Sequence, residues 1–142
     1  MNEQIAKKLK LSENFTLWEF LKSQKAEELG LMAEQFDIGE SEINHLRLLC
    51  VNVLEPLRKR FGVIHISSGY RSPELNAAVK GSKTSDHMAG KAADIKFIGM
   101  AAGYNWIKLN CEYKQAINEY NFQWIHISYD PNNNKKQNLK LP

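Results

Sequence analysis

The spacing of hydrophobic positions changes once along the chain, and that change divides it. Leu17, Phe20 and Leu21 recur at helical spacing behind Thr16, which stands three residues before Glu19 as in a capping box, so a helix is expected from there to about Glu28. Asp37 to Glu40 is a turn-like break. Ser41 then caps a longer helix in which Ile43, Leu46, Cys50, Val53, Leu54 and Leu57 keep the helical period. Pro56 should kink or tighten that helix near its end, because proline has no N–H to donate, and Gly62 closes it. Beyond Gly62 the period shortens to two. Val63 to Ser67, Ala92 to Phe97 and Trp124 to Tyr129 read as strands rich in branched and aromatic residues. Ser72 followed by Pro73 opens a short helix over 74–79, and further helices are expected within 100–109 and within 113–120. Residues 1–12 and 131–142 are polar and read as arms or tails, with Leu139 to Leu141 a candidate edge strand. Helices first and strands later argue for an α+β fold in a single domain over residues 1–142.

Composition narrows the function classes. The chain has 142 residues, 43% hydrophobic and 25% charged, which suits one globular domain and excludes collagenous, coiled-coil or wholly disordered chains. Nineteen Lys plus Arg against sixteen Asp plus Glu give a net charge of +3, but the basic residues are scattered and the aromatics sit in apolar runs, so no nucleic-acid partner is expected. No stretch reaches the ~18 apolar residues of a membrane span, so no membrane insertion is expected. Met1 to Lys8 shows no apolar core of a signal peptide, which points to synthesis in the cytoplasm without a leader. Cys50 and Cys111 form no C-x-x-C pair, and Cys50 lies in an apolar helical run, as a buried free thiol would. A monomer is expected.

The histidines carry the chemistry. His45 and His65 have no partner at a metal-ligand spacing and read as surface or core residues. His87 lies in Ser85-Asp86-His87-Met88-Ala89-Gly90-Lys91-Ala92-Ala93-Asp94, where Gly90 can turn the chain so that His87 and Asp94 aim at one point. His126 is flanked by Ile125 and Ile127, and strand alternation puts it on the face opposite them. If the strands of Asp94 and His126 are neighbours, two imidazoles and a carboxylate converge. That is the ligand set of an open catalytic zinc site, three protein ligands with the fourth position free. Taken alone, a histidine and an aspartate at this spacing make a loose pattern.

A larger ordered set is more specific. Ser68-Gly69-Tyr70-Arg71-Ser72 with Leu75-Asn76, then Ser85-x-His87-x-x-Gly90-x-Ala92-x-Asp94, then Trp124-Ile125-His126 resembles the zinc D-Ala-D-Ala carboxypeptidase family, peptidase family M15. The likeness is to its small single-domain branch among bacterial and bacteriophage cell-wall lytic proteins. Asn14 to Phe20 and Leu54 to Arg58 share it, so it spans roughly residues 12 to 129. The resemblance implies helices packed on a small, mainly antiparallel sheet that carries the metal site, the hedgehog-like D-Ala-D-Ala peptidase fold. It implies zinc as cofactor, held by His87, Asp94 and His126, and peptidoglycan peptides as partners, cleaved at bonds of D-amino acids by a D,D-carboxypeptidase or endopeptidase. It also implies that Arg71 faces the substrate carbonyl or carboxylate; bracing a loop is the competing reading. Ser85 and Tyr70 are further substrate-contacting candidates, against turn hydrogen bonding for Ser85, as for Ser68, and packing for Tyr70.

One position departs from the family's pattern. Many members place a glutamate or histidine three residues before the last zinc histidine, and here that residue is Gln123, whose amide orients water but cannot take its proton. Glu119 and Asp86 are the carboxylates that could serve instead, Glu119 being read on the helix at 115–120, where a plain surface position competes. Two functional readings therefore stand: an active zinc peptidase, and a catalytically weak zinc-containing module that binds peptidoglycan or a protein partner. Without a leader, the route to the wall is release as a prophage lysin or by lysis, or the leader has been trimmed from the sequence.

Overall fold

The computed structural model describes residues 1–142. Its N-terminal half is helical. In α1 (Glu3–Lys8) the Asn2 side chain accepts the Ile5 N–H, and Ala6 is fully buried. Strands β1 (Lys10–Ser12) and β2 (Phe15–Thr16) pair antiparallel. Residues 1–12 are thus packed structure rather than the expected arm, because Ala6 and Leu11 belong to the core. Helix α2 (Leu17–Leu21) starts at the capping box, with Glu19 Oε2 accepting the Thr16 N–H at 2.7 Å. It stops at Lys22, and α3 (Gln24–Leu29) restarts behind Ser23, whose hydroxyl accepts the Ala26 N–H. The single helix expected to Glu28 is therefore two, divided by a second cap.

After α4 (Met32–Phe36), helix α5 (Glu40–Leu49) begins behind Gly39 instead of Ser41 and continues through a π-helical turn, Cys50–Leu54, into α6 (Glu55–Phe61). In an ordinary α-helix the ring of Pro56 would meet the carbonyl four residues back. The wider turn, in which the Glu55 N–H reaches Cys50 O, relieves that clash, so the rod widens where a kink or a tightening was expected.

The second half builds a sheet from β3 (His65–Ser68), β4 (Ala92–Lys96), β5 (Gln115–Glu119), β6 (Trp124–Ser128) and β7 (Gln137–Leu141), with α7 (Pro73–Ala78) and α8 (Met100–Asn110) in the connections. The strand order is β3-β4-β6-β5-β7. Pairings β3–β4, β4–β6 and β6–β5 are antiparallel, and β5–β7 is parallel. The sheet is mixed, which corrects the expectation of a mainly antiparallel one. The parallel strand arises because the chain leaves β6, crosses the start of β5 through Lys136 N–H to Tyr113 O and Gln137 N–H to Lys114 O, and then runs beside it. Residues 137–141 form that strand, at the edge of the sheet, where a tail with Leu139 to Leu141 as a candidate edge strand was expected.

A second correction concerns 113–120, expected as a helix. Ala116, Ile117 and Asn118 are all buried, and the strand is flanked by β6 on one side and β7 on the other, so pairing on both edges overrides the local helical pattern. The hairpin to β6 turns through Tyr120, Asn121 and Phe122 at φ of 52°, 54° and 62°, with the Phe122 N–H donated to Asn118 Oδ1.

Alternation along the strands separates two faces. Ile66, Ala93, Ile95, Ala116, Ile125 and Ile127 enter the hydrophobic core with Leu46, Leu49, Val53, Leu54 and Leu57 of the α5–α6 rod. Asp94, Ile117, Glu119, Trp124 and His126 take the other face and line a cavity. Cys50 and Cys111 are buried free thiols, and burial pushes Cys111 up to about 11. No helix is long and apolar enough to cross a membrane.

Glu55 ties the β1–β2 turn to the rod: its carboxylate accepts from Ser12 Oγ (2.6 Å), Asn14 N (2.7 Å) and Asn14 Nδ2 (2.8 Å). Partial burial would raise this carboxyl, but the Ser12 and Asn14 donors and the Arg58 charge outweigh it and hold it below its ordinary value. Glu55→Ala should lower unfolding stability by about 1–2 kcal/mol at neutral pH. A carboxyl lowered in the native state stabilises above its unfolded value and loses that contribution as pH falls through the native one. Denaturation curves of wild type and variant should therefore converge in acid.

Candidate active site

The β4–β6 register sets Asp94 opposite His126, between the apolar pairs Ala93–Ile127 and Ile95–Ile125. His87 is supplied by the loop after α7. Within that loop Ser85 Oγ accepts the His87 N–H at 3.2 Å, and Gly90 adopts φ +72° where a Cβ would stand 2.3 Å from the Glu42 carbonyl oxygen. Only glycine satisfies both the left-handed backbone and the close approach of α5. His45, also on α5, holds the same loop through Nδ1, 2.7 Å from Ala89 O.

His87 Nδ1 lies 2.7 Å from Gly69 O. A carbonyl can only accept, so Nδ1 carries a proton, and Nε2 is turned toward Asp94 Oδ1 at 3.4 Å. His126 Nδ1 lies 3.1 Å from the same oxygen. One donor atom from each of the three residues falls within 4.8 Å of the others. Ligand atoms about 2.0–2.2 Å from a zinc ion stand about 3.4 Å apart in a tetrahedron, so two imidazoles and a carboxylate in this arrangement suit that metal. Burial alone would raise the Asp94 carboxyl, but hydrogen bonding with His126 and His87, and their charge, hold it well below the usual carboxylate range.

Arg71 lines the same cavity, of about 770 Å³. Its backbone N–H is donated to His87 O at 3.1 Å, while its guanidinium has no carboxylate within 4.0 Å and its Nε is buried without a partner. Burial lowers its pKa, against the raising influence of Asp94 and Glu119. The turn that carries it is fixed by Gln35, which is fully buried: Nε2 donates to Leu21 O and Tyr70 O, both at 2.9 Å, and Oε1 accepts the Ser72 N–H at 2.8 Å. Gly69 completes the clamp, since a Cβ there would stand 2.6 Å from Phe20 Cα.

The remaining candidates separate. Glu119 lines the cavity, and its Oε2 accepts the Trp124 Nε1–H at 2.9 Å. Asp86 also lines it, with both carboxylate oxygens engaged by Lys114 Nζ at 3.1 and 3.0 Å. Ser85 lines the cavity as well, and Ser68 stands opposite Asp94 on β3. Two candidates are corrected. Gln123 is exposed in the β5–β6 turn and lies outside the cavity lining, because β6 begins only at Trp124 and the turn carries Gln123 into solvent. Tyr70 is buried in the core and also lies outside the lining: the chain alternates at the turn, Arg71 toward the cavity and Tyr70 toward the helices. Gln35, His45, Lys114, Lys135 and Leu141 escaped the sequence reading. Strand alternation from Ile117 would have pointed to Glu119 and Gln115, whereas an isolated Gln35 carries no signal of its partners.

A family model described as Peptidase M15 matches residues 13–128. No curated protein matches the chain.

Zinc titration against a chromophoric chelator should give one equivalent per chain, and His87→Ala, Asp94→Ala and His126→Ala should each weaken binding by at least about 100-fold, since two remaining ligands hold the ion poorly. Gly90→Ala should cost about 2–4 kcal/mol in thermal or chemical unfolding, through the left-handed backbone and the clash with Glu42.

Proposed function

The chain belongs to the peptidase M15 family, and from that premise we propose that it is a zinc metallopeptidase hydrolysing peptide bonds of D-amino acids in bacterial peptidoglycan, as a D,D-carboxypeptidase or endopeptidase. The observation that carries the reading is the single cavity in which the three-donor cluster, an arginine without an ion-pair partner and the carboxylate of Glu119 face one another. Zinc held by His87, Asp94 and His126 would supply Lewis acidity toward a carbonyl oxygen and toward water.

The chain's own residues divide the remaining tasks. Glu119 stands on β5 one alternation step from Ile117, the register partner of His126. Trp124 occupies one of its oxygens and leaves the other free to take a proton from the attacking water and pass it to the leaving amine. Asp86 suits that task less, because Lys114 occupies both of its oxygens. Arg71, a cation of the same cavity without a carboxylate partner, would direct its charge at the oxygen on which negative charge develops. The Gly69 carbonyl keeps His87 in the tautomer that presents Nε2. The case for a catalytically weak binding module rested on Gln123, and Gln123 is outside the cavity where a proton acceptor would act.

Incubation of the zinc-loaded protein with purified muropeptides, followed by mass spectrometry, tests the reading. Loss of a terminal D-alanine marks a carboxypeptidase and internal scission an endopeptidase; intact muropeptides overturn the proposal. Glu119→Gln should lower kcat by about 10²–10⁴-fold with zinc stoichiometry unchanged. Arg71→Ala should lower kcat by about 10²–10³-fold, again with zinc retained. Gln123→Glu should leave turnover within about twofold, because it places a carboxylate in solvent.

A further inference from the structure

The family match ends at Ser128, yet residues beyond it wall the cavity. The segment from 129 is anchored at its start by Lys91 Nζ to Asp130 Oδ2 (3.0 Å) and by an Asn134 side chain that accepts the Asp130 N–H. It then joins β5 through backbone bonds, with Gln137, Leu139 and Leu141 in register with Gln115, Ile117 and Glu119. Those are the β5 positions that face the metal-ligand cluster, so β7 extends the cavity face by one strand. Two of the segment's residues, Lys135 and Leu141, line the cavity directly.

The registers also give the cleft a direction. At one end Leu141 and Trp124 flank Glu119; in the middle His126 pairs across to Ile117; at the other end Lys114, Gln115, Asp86 and Lys135 gather. At ~3.3 Å per strand residue, the run from Ile117 back to Lys114 is ~10 Å, the reach of about three extended peptide residues. The charges there are unequal. Lys114 is neutralised by Asp86, Lys91 by Asp130, and Lys136 lies 3.7 Å from Glu112, whereas Lys135 has no carboxylate within 4.0 Å. A cation without a carboxylate partner in the cavity lining, in the turn before β7 and beyond the residues that the family model matches, suits an anionic group arriving with the ligand.

Resting on the peptidase reading above, we infer that β7 and the turn before it form a specificity wall, in which Lys135 selects substrates carrying a free carboxylate about three residues from the scissile bond. The chemistry stays with His87, Asp94, His126, Arg71 and Glu119; Lys135 acts on substrate binding.

The test uses a matched pair of peptides with the same scissile D-Ala-D-Ala bond, one with a carboxylate three residues away and one with the carboxamide in its place. The zinc-loaded wild type should show a KM about three- to fivefold lower for the carboxylate peptide, the scale of one exposed ion pair, and the preference should shrink with added salt. Lys135→Ala should raise the KM of the carboxylate peptide to that of the carboxamide with kcat unchanged, and Lys135→Arg should restore it. Equal effects of Lys135→Ala on both peptides, or no preference in the wild type, overturn the inference. Calorimetric Kd values for the same pair separate it from the peptidase reading. A carboxylate preference that Lys135→Ala abolishes, without turnover, supports the wall and removes the peptidase; binding of neither peptide overturns the wall.

Discussion

Asp94 and His126 face each other across β4 and β6, and a slip of one residue in either strand would turn one of them into the core and an isoleucine or alanine into the cavity. The two demands, an apolar face against the α5–α6 rod and a polar face for ligands, therefore fix the same register. Ile125 and Ile127 bracket His126, and Ala93 and Ile95 bracket Asp94, so each ligand is held by hydrophobic neighbours that cannot leave the core without cost. The geometry of the His-Asp-His cluster, which could hold a metal ion, is in this sense a by-product of how the core is filled.

His87 stands outside that register and needs a separate support. Its loop is pressed against α5 at Gly90, held by His45 at Ala89, and closed on the β3 side by Gly69 O at His87 Nδ1. The Gly69 carbonyl is itself fixed by the turn that Gln35 clamps through three hydrogen bonds to the backbone. Buried polar groups are costly when unpaired, and Gln35 spends both of its side-chain ends here. The helical half of the chain thus acts on the site at two points: α4 through Gln35 sets the arginine turn, and α5 through His45 and Glu42 sets the histidine loop.

The chemistry of this arrangement was legible where a local pattern carried it. The glycine turn and strand alternation suggested His87, Asp94 and His126 only loosely and the ordered family motifs singled them out, whereas the capping box at Thr16 and Glu19 could be read from its spacing. What escaped was decided by pairing between distant segments. The stretch 113–120 has a plausible helical period, and only β6 and β7 on its two edges make it a strand. Reading it as a helix moved Glu119 to a surface, and the family's usual offset then drew attention to Gln123. Placing the strand restores the alternation Gln115, Ile117, Glu119 and with it the carboxylate. Residues 1–12 and 131–142 look polar, but Ala6, Leu11 and the β7 backbone find their partners elsewhere in the fold. The π turn before Pro56 is of the same kind, a local conflict resolved by the rod's packing on the sheet.

Three carboxylates share the cavity, and their partners set them apart. Asp94 is shared between two imidazoles and stays ionised far into acid, as a ligand for a cation requires. Asp86 is bound by both oxygens to Lys114, which fixes its position and spends its charge. Glu119 has one oxygen on the neutral donor Trp124 and no basic side chain within 4.0 Å, so its carboxylate is the one of the three that neither a histidine nor a lysine holds. Arg71 sits between the first and the last and is paired with neither, which leaves its charge to be met by something that enters the cavity. The different surroundings of these like groups follow from contacts on neighbouring strands and loops, which give one carboxylate two imidazoles, one a lysine and one a neutral indole.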